Sequence, residues 1–414
     1  MIESSSVLFL ACEEYPTIRA VDDRTGLLIR EETSGTALDP ERLLTPLYGL
    51  GVVGAFLQVA GANWDVSSHV LGIVDSFFTP SHLVLYLGIL FVLIAGLSGV
   101  WLARRSDAKS RPLFTGFRVA FAGSLIQLVA GPLDLWWHSV YGFDPFLFTP
   151  THSMLIVGLA LGGVGMAVGT LRLLQNNNNN RTRLLRSLGA LILGTLWLDV
   201  NFVVLWLVNA QGIAYTFRVC APQVVFDRSC AFVGAYETAA YLPALFLDAL
   251  GGTAVILLVT RTMGRRGALT SVAALVVAVN ATANLGFSAY MLLYVGVPGS
   301  FYLAGLTRTT GAEMASIIPP YLAILIPVLL FDVLARKEGR RALVASLVAG
   351  PLSVFLDGRF SILSGLWSPD STILLYLLPM ALGGLAARGI RGRLEGALLS
   401  GRVPVALGGL PEQT

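Results

Sequence analysis

The chain is a succession of long apolar stretches parted by short polar ones, and no other feature limits its fold as strongly. Many of the stretches are long enough for a helix to cross the hydrocarbon layer of a bilayer. In lipid the backbone must bond within its own segment, so such stretches predict helices. Ten can be drawn, over about residues 44–70, 81–102, 114–137, 151–174, 185–208, 235–260, 268–295, 312–334, 342–356 and 372–387, the ninth and tenth being short. Charged residues make up 13% of the chain, against about 25% in a soluble domain. A disordered chain and an ordinary soluble enzyme are thereby excluded. The sequence predicts an all-α, polytopic membrane helix bundle of about ten transmembrane helices, built at least partly from duplicated helix pairs.

The basic residues alternate from side to side. Arg104, Arg105, Lys109 and Arg111 follow the second stretch, Arg181, Arg183 and Arg186 the fourth, Arg261, Arg265 and Arg266 the sixth, and Arg336, Lys337, Arg340 and Arg341 the eighth. Loops after odd-numbered stretches hold only Arg218, Arg228, Arg308 and Arg359. The positive-inside rule then expects both termini in the cytoplasm and the odd loops outside the cytoplasmic membrane. Charge in short runs between spans, with a net of +3, is no nucleic-acid footprint, and the lipid bilayer is the expected surrounding. The expected organisation is a cytoplasmic extension over 1–42, a four-helix module over 43–175, an Asn-rich cytoplasmic linker over 176–186, a six-helix module over 187–388 and a cytoplasmic tail over 389–414. Cys220 and Cys230 share one outer loop, where they stand as a disulfide or as two separate thiols.

The four histidines carry the chemistry. His69 and His82 flank the first outer loop, and His138 and His152 flank the second. Each loop repeats one unit: Asp65-x3-His69, Asp75, then Phe78-Thr79-Pro80-x-His82; and Asp134-x3-His138, Asp144, then Phe148-Thr149-Pro150-x-His152. The second copy has one extra residue. Four independently placed histidines would all fall in these two short segments with a chance on the order of 10⁻⁴, so the placement is not background. Residues i and i+4 project from one helix face, which sets Asp65 beside His69 and Asp134 beside His138. Proline fits the first turn of a helix, so Thr79-Pro80 and Thr149-Pro150 start the next helices and set His82 and His152 in their first turns. Each unit thus brings one carboxylate and two imidazoles together, a donor set that suits copper, zinc or iron. Asp75 and Asp144 read as helix caps or outer hydrogen-bond acceptors. The plain alternative is a set of interfacial polar anchors beside the belt residues Trp64, Trp136 and Trp137.

These residues resemble the C subunit of the copper membrane monooxygenases, the particulate methane and ammonia monooxygenases. That family carries Asp-x3-His-x12-His, which Asp65, His69 and His82 reproduce, and Asn-x3-His-x13-His, whose spacing Asp134, His138 and His152 keep. The likeness covers about residues 44–175. It implies copper at Asp65, His69 and His82 and a neighbouring metal at Asp134, His138 and His152. Asp134 in place of the amide makes the second set more anionic and opens it to zinc or iron. Val74 stands where the family often has Arg, and the chain is longer than a usual C subunit. The resemblance implies an oxidoreductase, or a subunit of one, acting on a small apolar substrate. It also implies other membrane subunits, or a copper-bearing soluble partner domain, since this chain has no histidines for one.

Two other readings stay open: a copper or zinc transport or insertion protein without organic turnover, and a structural membrane protein. The second half has no histidine but holds an eroded echo of the unit, with Ser353, Asp357, Ser368-Pro369 and Ser371 in register. Asp199, Asn201, Asp248, Asn280 and Asn284 lie within apolar spans, where they form either a proton or ion path or interhelical hydrogen bonds.

Overall fold

The structure is a computed structural model that describes residues 40–70, 77–106, 110–141, 149–176, 182–217, 228–263, 267–290 and 372–400. Eight helices fill them: α1 (Pro40–Val70), α2 (Pro80–Ala103), α3 (Thr115–Tyr141), α4 (Pro150–Asn176), α5 (Thr182–Phe217), α6 (Arg228–Met263), α7 (Ala268–Tyr290) and α8 (Thr372–Glu395). A short 3-10 turn, Arg111–Phe114, leads into α3, and a π-turn, Gly396–Ser400, follows α8. The described residues include no strand. Among the described residues, six segments are long and apolar enough to cross a membrane: Arg42–Asp65, Pro80–Ala103, Arg111–Tyr141, Pro150–Asn176, Arg183–Val203 and Phe246–Met263. The described residues are those of a helical membrane protein.

The eighth and ninth expected spans, the eroded echo, Cys220 and the extension before residue 40 lie outside the described residues. Two helices, α5 and α6, outrun their expected spans furthest. At 36 residues each, α5 and α6 are about 54 Å long, well beyond a hydrocarbon core of about 30 Å. Apolar length alone therefore undershot them, because a helix does not end where the lipid does.

α2 shows how these helices choose their neighbours. Apolarity cannot separate its faces, because both are apolar. Size does. Leu83, Leu87, Leu90, Ile94, Leu97 and Trp101 form an exposed stripe of large side chains, while the buried face mixes Leu85, Ile89, Val92 and Leu102 with the small Ser81, Gly88, Ala95, Gly96, Gly99 and Ala103. Small residues let backbones approach, and lipid competes poorly for that surface. A Cβ on Gly54 of α1 would stand 2.8 Å from the Gly88 carbonyl oxygen of α2. A Cβ on Gly123 of α3 would stand 2.5 Å from that of Gly158 on α4. Both distances are too short for a real Cβ, so each pair meets backbone to backbone.

The pairs also lock into one another. The rings of Tyr48 on α1 and Phe117 on α3 stack with centroids 3.9 Å apart. Phe117 fills the hollow at Gly99 of α2, and Tyr48 fills the hollow at Gly169 of α4. These contacts are reciprocal in sequence too. Tyr48 and Phe117 each precede their motif Asp by 17 residues, and Gly99 and Gly169 each follow their motif His by 17.

Arg172, near the end of α4 away from the histidines, ties distant segments together. Its guanidinium donates to the carbonyls of Pro112 (2.8 Å), Ala397 (2.8 Å) and Leu398 (3.0 Å). Hydrogen bonds from a charged donor each contribute about 1.5–3 kcal/mol. Arg172→Met is expected to cost at least about 3 kcal/mol. The check is a lower unfolding temperature in lipid-detergent micelles and faster proteolysis within 372–400.

Candidate metal centre

Thr149 and Pro150 create the second unit's geometry. Pro150 starts α4, and the Ser153 backbone N–H donates to the Thr149 carbonyl at 2.8 Å. The first turn so formed carries Thr151, His152 and Ser153. α3 runs antiparallel beside it and presents Asp134 and His138 from consecutive turns of one face. His138 Nε2 lies 3.5 Å from Asp134 Oδ2, and His152 Nε2 lies 3.6 Å from Asp134 Oδ1. One donor atom from each of the three residues falls within 4.8 Å of the others. The imidazole rings stand 5.7 Å apart at 60°.

Those distances approach those of a chelate. A tetrahedral cation with bonds of 2.0–2.2 Å needs donors about 3.3–3.6 Å apart, and each imidazole has an Asp134 oxygen at 3.5 or 3.6 Å. The two contacts fall on different oxygens of Asp134, so a cation taking one donor from each residue needs the set, within 4.8 Å, to draw closer. Surrounding hydroxyls orient the donors. Thr149 Oγ1 lies 3.0 Å from His152 Nδ1 and accepts the His152 backbone N–H at 3.3 Å. An Nδ1–H that donates to Thr149 leaves the Nε2 lone pair facing the cluster. Thr151 Oγ1 donates to Asp134 Oδ1 at 2.5 Å and fixes the carboxylate. Trp206 on α5 donates from Nε1 to Ser153 Oγ at 3.0 Å, which in turn donates to the Thr149 carbonyl at 2.6 Å. The fifth helix thereby braces the turn that holds the site.

The first unit is described in part. Thr79 precedes α2 in an extended conformation, φ −61 and ψ 150, with Pro80 in the first turn. His82 Nε2 stands 3.0 Å from Asp65 Oδ1, and Ser81 Oγ donates to the same oxygen at 3.0 Å. Ser81 thus occupies the place that Thr151 holds in the second unit. His69 belongs to α1 four residues after Asp65, but its side chain lies outside the described residues, as do Asp75 and Asp144. The structure therefore assembles the full three-donor set at Asp134, His138 and His152, and an Asp–His pair at Asp65 and His82.

Sequence reading missed three features. Ser81 and Thr151, one residue before each second histidine, hold the carboxylates. Thr149 holds an imidazole. Gln58 and Gln127, each seven residues before a motif Asp, meet at the contact between the two helix pairs: Gln127 Nε2 donates to Gln58 Oε1 at 3.2 Å. Their equal offset in both units is the signal that could have found them. No protein-family model matches the chain, and neither does any curated protein or solved structure.

Proposed function

We propose that this membrane protein binds a transition metal at Asp134, His138 and His152, and a second at Asp65, His69 and His82. On this reading it is an oxidoreductase, or a subunit of one, for a small apolar substrate, as the resemblance to the monooxygenase C subunit implies. The observation that carries the reading is the convergence of one carboxylate and two imidazoles, one donor atom from each within 4.8 Å of the others, held by outer hydroxyls. Copper is the proposed metal. A second carboxylate in place of the family's amide makes zinc or iron the next candidates.

The reciprocal contacts of Tyr48 with Gly169 and of Phe117 with Gly99 support a duplicated helix pair related by an approximate two-fold axis. Both sites then lie at one depth, which suits catalysis better than a transport route, where ligands would spread along the path. Alternating basic loops support an outer-face location with cytoplasmic termini. When bound, the metal supplies a Lewis acid and, if redox-active, one-electron chemistry. The chain's own part is to fix the donors and keep the surroundings apolar.

The test is elemental analysis with electron paramagnetic resonance on protein purified in lipid without added metal. One to two transition-metal ions per chain are expected, with an imidazole-ligated copper signal. Protein free of copper, zinc and iron would sink the reading. Full metal with no turnover of any small hydrocarbon or ammonia, partner subunits present, would move it to the metal-handling class.

A further inference from the structure

A polar group far below the metal cluster has no role in that chemistry. Asp199 on α5 is 4% exposed, and neither carboxylate oxygen has a hydrogen-bond partner among the described residues. Of the two roles open to it, an interhelical hydrogen bond is not made among the described residues. Instead its carboxylate packs on Gly163 of α4. Gly163 follows His152 by eleven residues, about 16 Å along the helix axis, which is close to the middle of the span. A charged carboxylate so placed, with no cation or donor beside it, is strongly disfavoured.

α1, α4, α6 and α7 pack around α5. Their titratable side chains are Glu41, Arg42, Tyr48, Asp65 and His69 on α1; His152 and Arg172 on α4; Arg228, Cys230, Tyr236, Glu237, Tyr241, Asp248 and Arg261 on α6; and Tyr290 on α7. None of those described bonds to Asp199. A second observation points from Asp199 towards the histidines. Gln58 Oε1 comes within 3.6 Å of the Cβ position of Gly162, the residue before Gly163. Gln58 and Asp199 thus reach α4 at consecutive residues and at one depth. Gln127 reaches Gly158, one turn nearer to His152. Gln58 and Gln127 are 0% and 2% exposed, and Gln58 Nε2 and Gln127 Oε1 have no partner among the described residues. The pair therefore offers one spare donor and one spare acceptor between the cluster and Asp199.

We propose that Asp199 is a proton-binding carboxyl within the membrane, and that the Gln58–Gln127 pair connects it to the histidine end of the bundle. The ligand is a proton: the O–H bond of the carboxyl forms when it is taken up and breaks when it is released, with no change of oxidation state. The site stands apart from the metal reading, and Asp199→Asn is expected to keep the metal content of the parent.

Two measurements on the full chain in lipid test it. Dicyclohexylcarbodiimide, an apolar reagent for protonated carboxyls, is expected to label Asp199 at neutral pH, read by peptide mass spectrometry without any variant. No adduct at Asp199 overturns the proposal, and so does protection by sodium ions at fixed pH, which assigns the site to a metal cation. In infrared spectra the protonated-carboxyl band is expected to vanish in Asp199→Asn and to shift in deuterium oxide. The Gln58→Leu/Gln127→Leu double variant is expected to slow that exchange at least tenfold. An unchanged exchange rate overturns the connection, and a band that survives Asp199→Asn overturns the assignment.

Discussion

Metal bound at the Asp134 centre is expected to fall below detection when His138 is replaced by alanine, and likewise for His152. Each imidazole is one of three donors, and the carboxylate and single imidazole that either substitution leaves cannot enclose a cation. Thr149→Val grades the effect. It removes the hydroxyl at His152 Nδ1 and leaves all three donors in place. Loss of such an outer partner typically costs about 10–100-fold in metal affinity. The expected order is therefore parent, then Thr149→Val weakened by about that factor, then the alanine variants without measurable binding at this centre. Competition against a chelator of known affinity reads the order directly. His82→Ala serves as the comparison, because it lies in the other unit: it is expected to remove metal from the first site and leave the second filled. Equal metal content in parent, His138→Ala and His152→Ala would mean that the histidines are polar anchors and the proposed chemistry is absent. Retention of fold is read from an unshifted unfolding temperature in metal-free buffer.

What the sequence made legible follows from local geometry. A Thr-Pro pair starts a helix because proline has no N–H to lose there, and both α2 and α4 begin at the prolines so identified. An Asp and a His four apart share a face whatever surrounds them, so Asp134 and His138 meet as expected. The closing of His152 onto that pair was legible as well, since a return helix starting at Pro150 has little freedom in where its first turn lies. Long-range pairing was not legible. Gln58 and Gln127 look like ordinary polar residues in apolar stretches, and they acquire a role only because their side chains meet between α1 and α3. The hollows at Gly99 and Gly169 are equally silent, since nothing local says which ring fills a glycine gap. In lipid the usual polar-apolar periodicity is blank, and the remaining signal is residue size, weaker and easily read as mere composition. Asp199 could be placed in a span from sequence, but its lack of a partner is a property of the packed bundle.

That size code carries the other large effect. Gly158→Leu is expected to abolish both the packing of α3 on α4 and the metal centre. A Cβ at this position would lie 2.7 Å from the Gly123 carbonyl oxygen and 2.5 Å from Cγ of Gln127. The glutamine chain can swing away. The carbonyl belongs to the helix backbone and cannot. The two helices must separate, and the cost exceeds the about 1–3 kcal/mol usual for overpacking a core that can still adjust. Separation acts on the site because Asp134 rides on α3 and His152 on α4, joined across a gap of 3.6 Å. An outward shift of the order of an ångström takes that edge beyond what a single cation spans. The variant is therefore expected to lose metal although Asp134, His138 and His152 are all intact. Gly131→Ala is the control. It lies on α3 two turns from Gly123, and a Cβ there meets nothing within 4 Å. Alanine in a helix is favoured over glycine by about 0.8–1.0 kcal/mol, but Pro132 follows and disfavours helical backbone for a residue with a Cβ before it, so the two effects oppose and this variant is expected to keep its metal and unfold at nearly the same temperature. If Gly158→Leu matched Gly131→Ala in both metal content and unfolding temperature, the close α3–α4 approach would not be what holds the centre together.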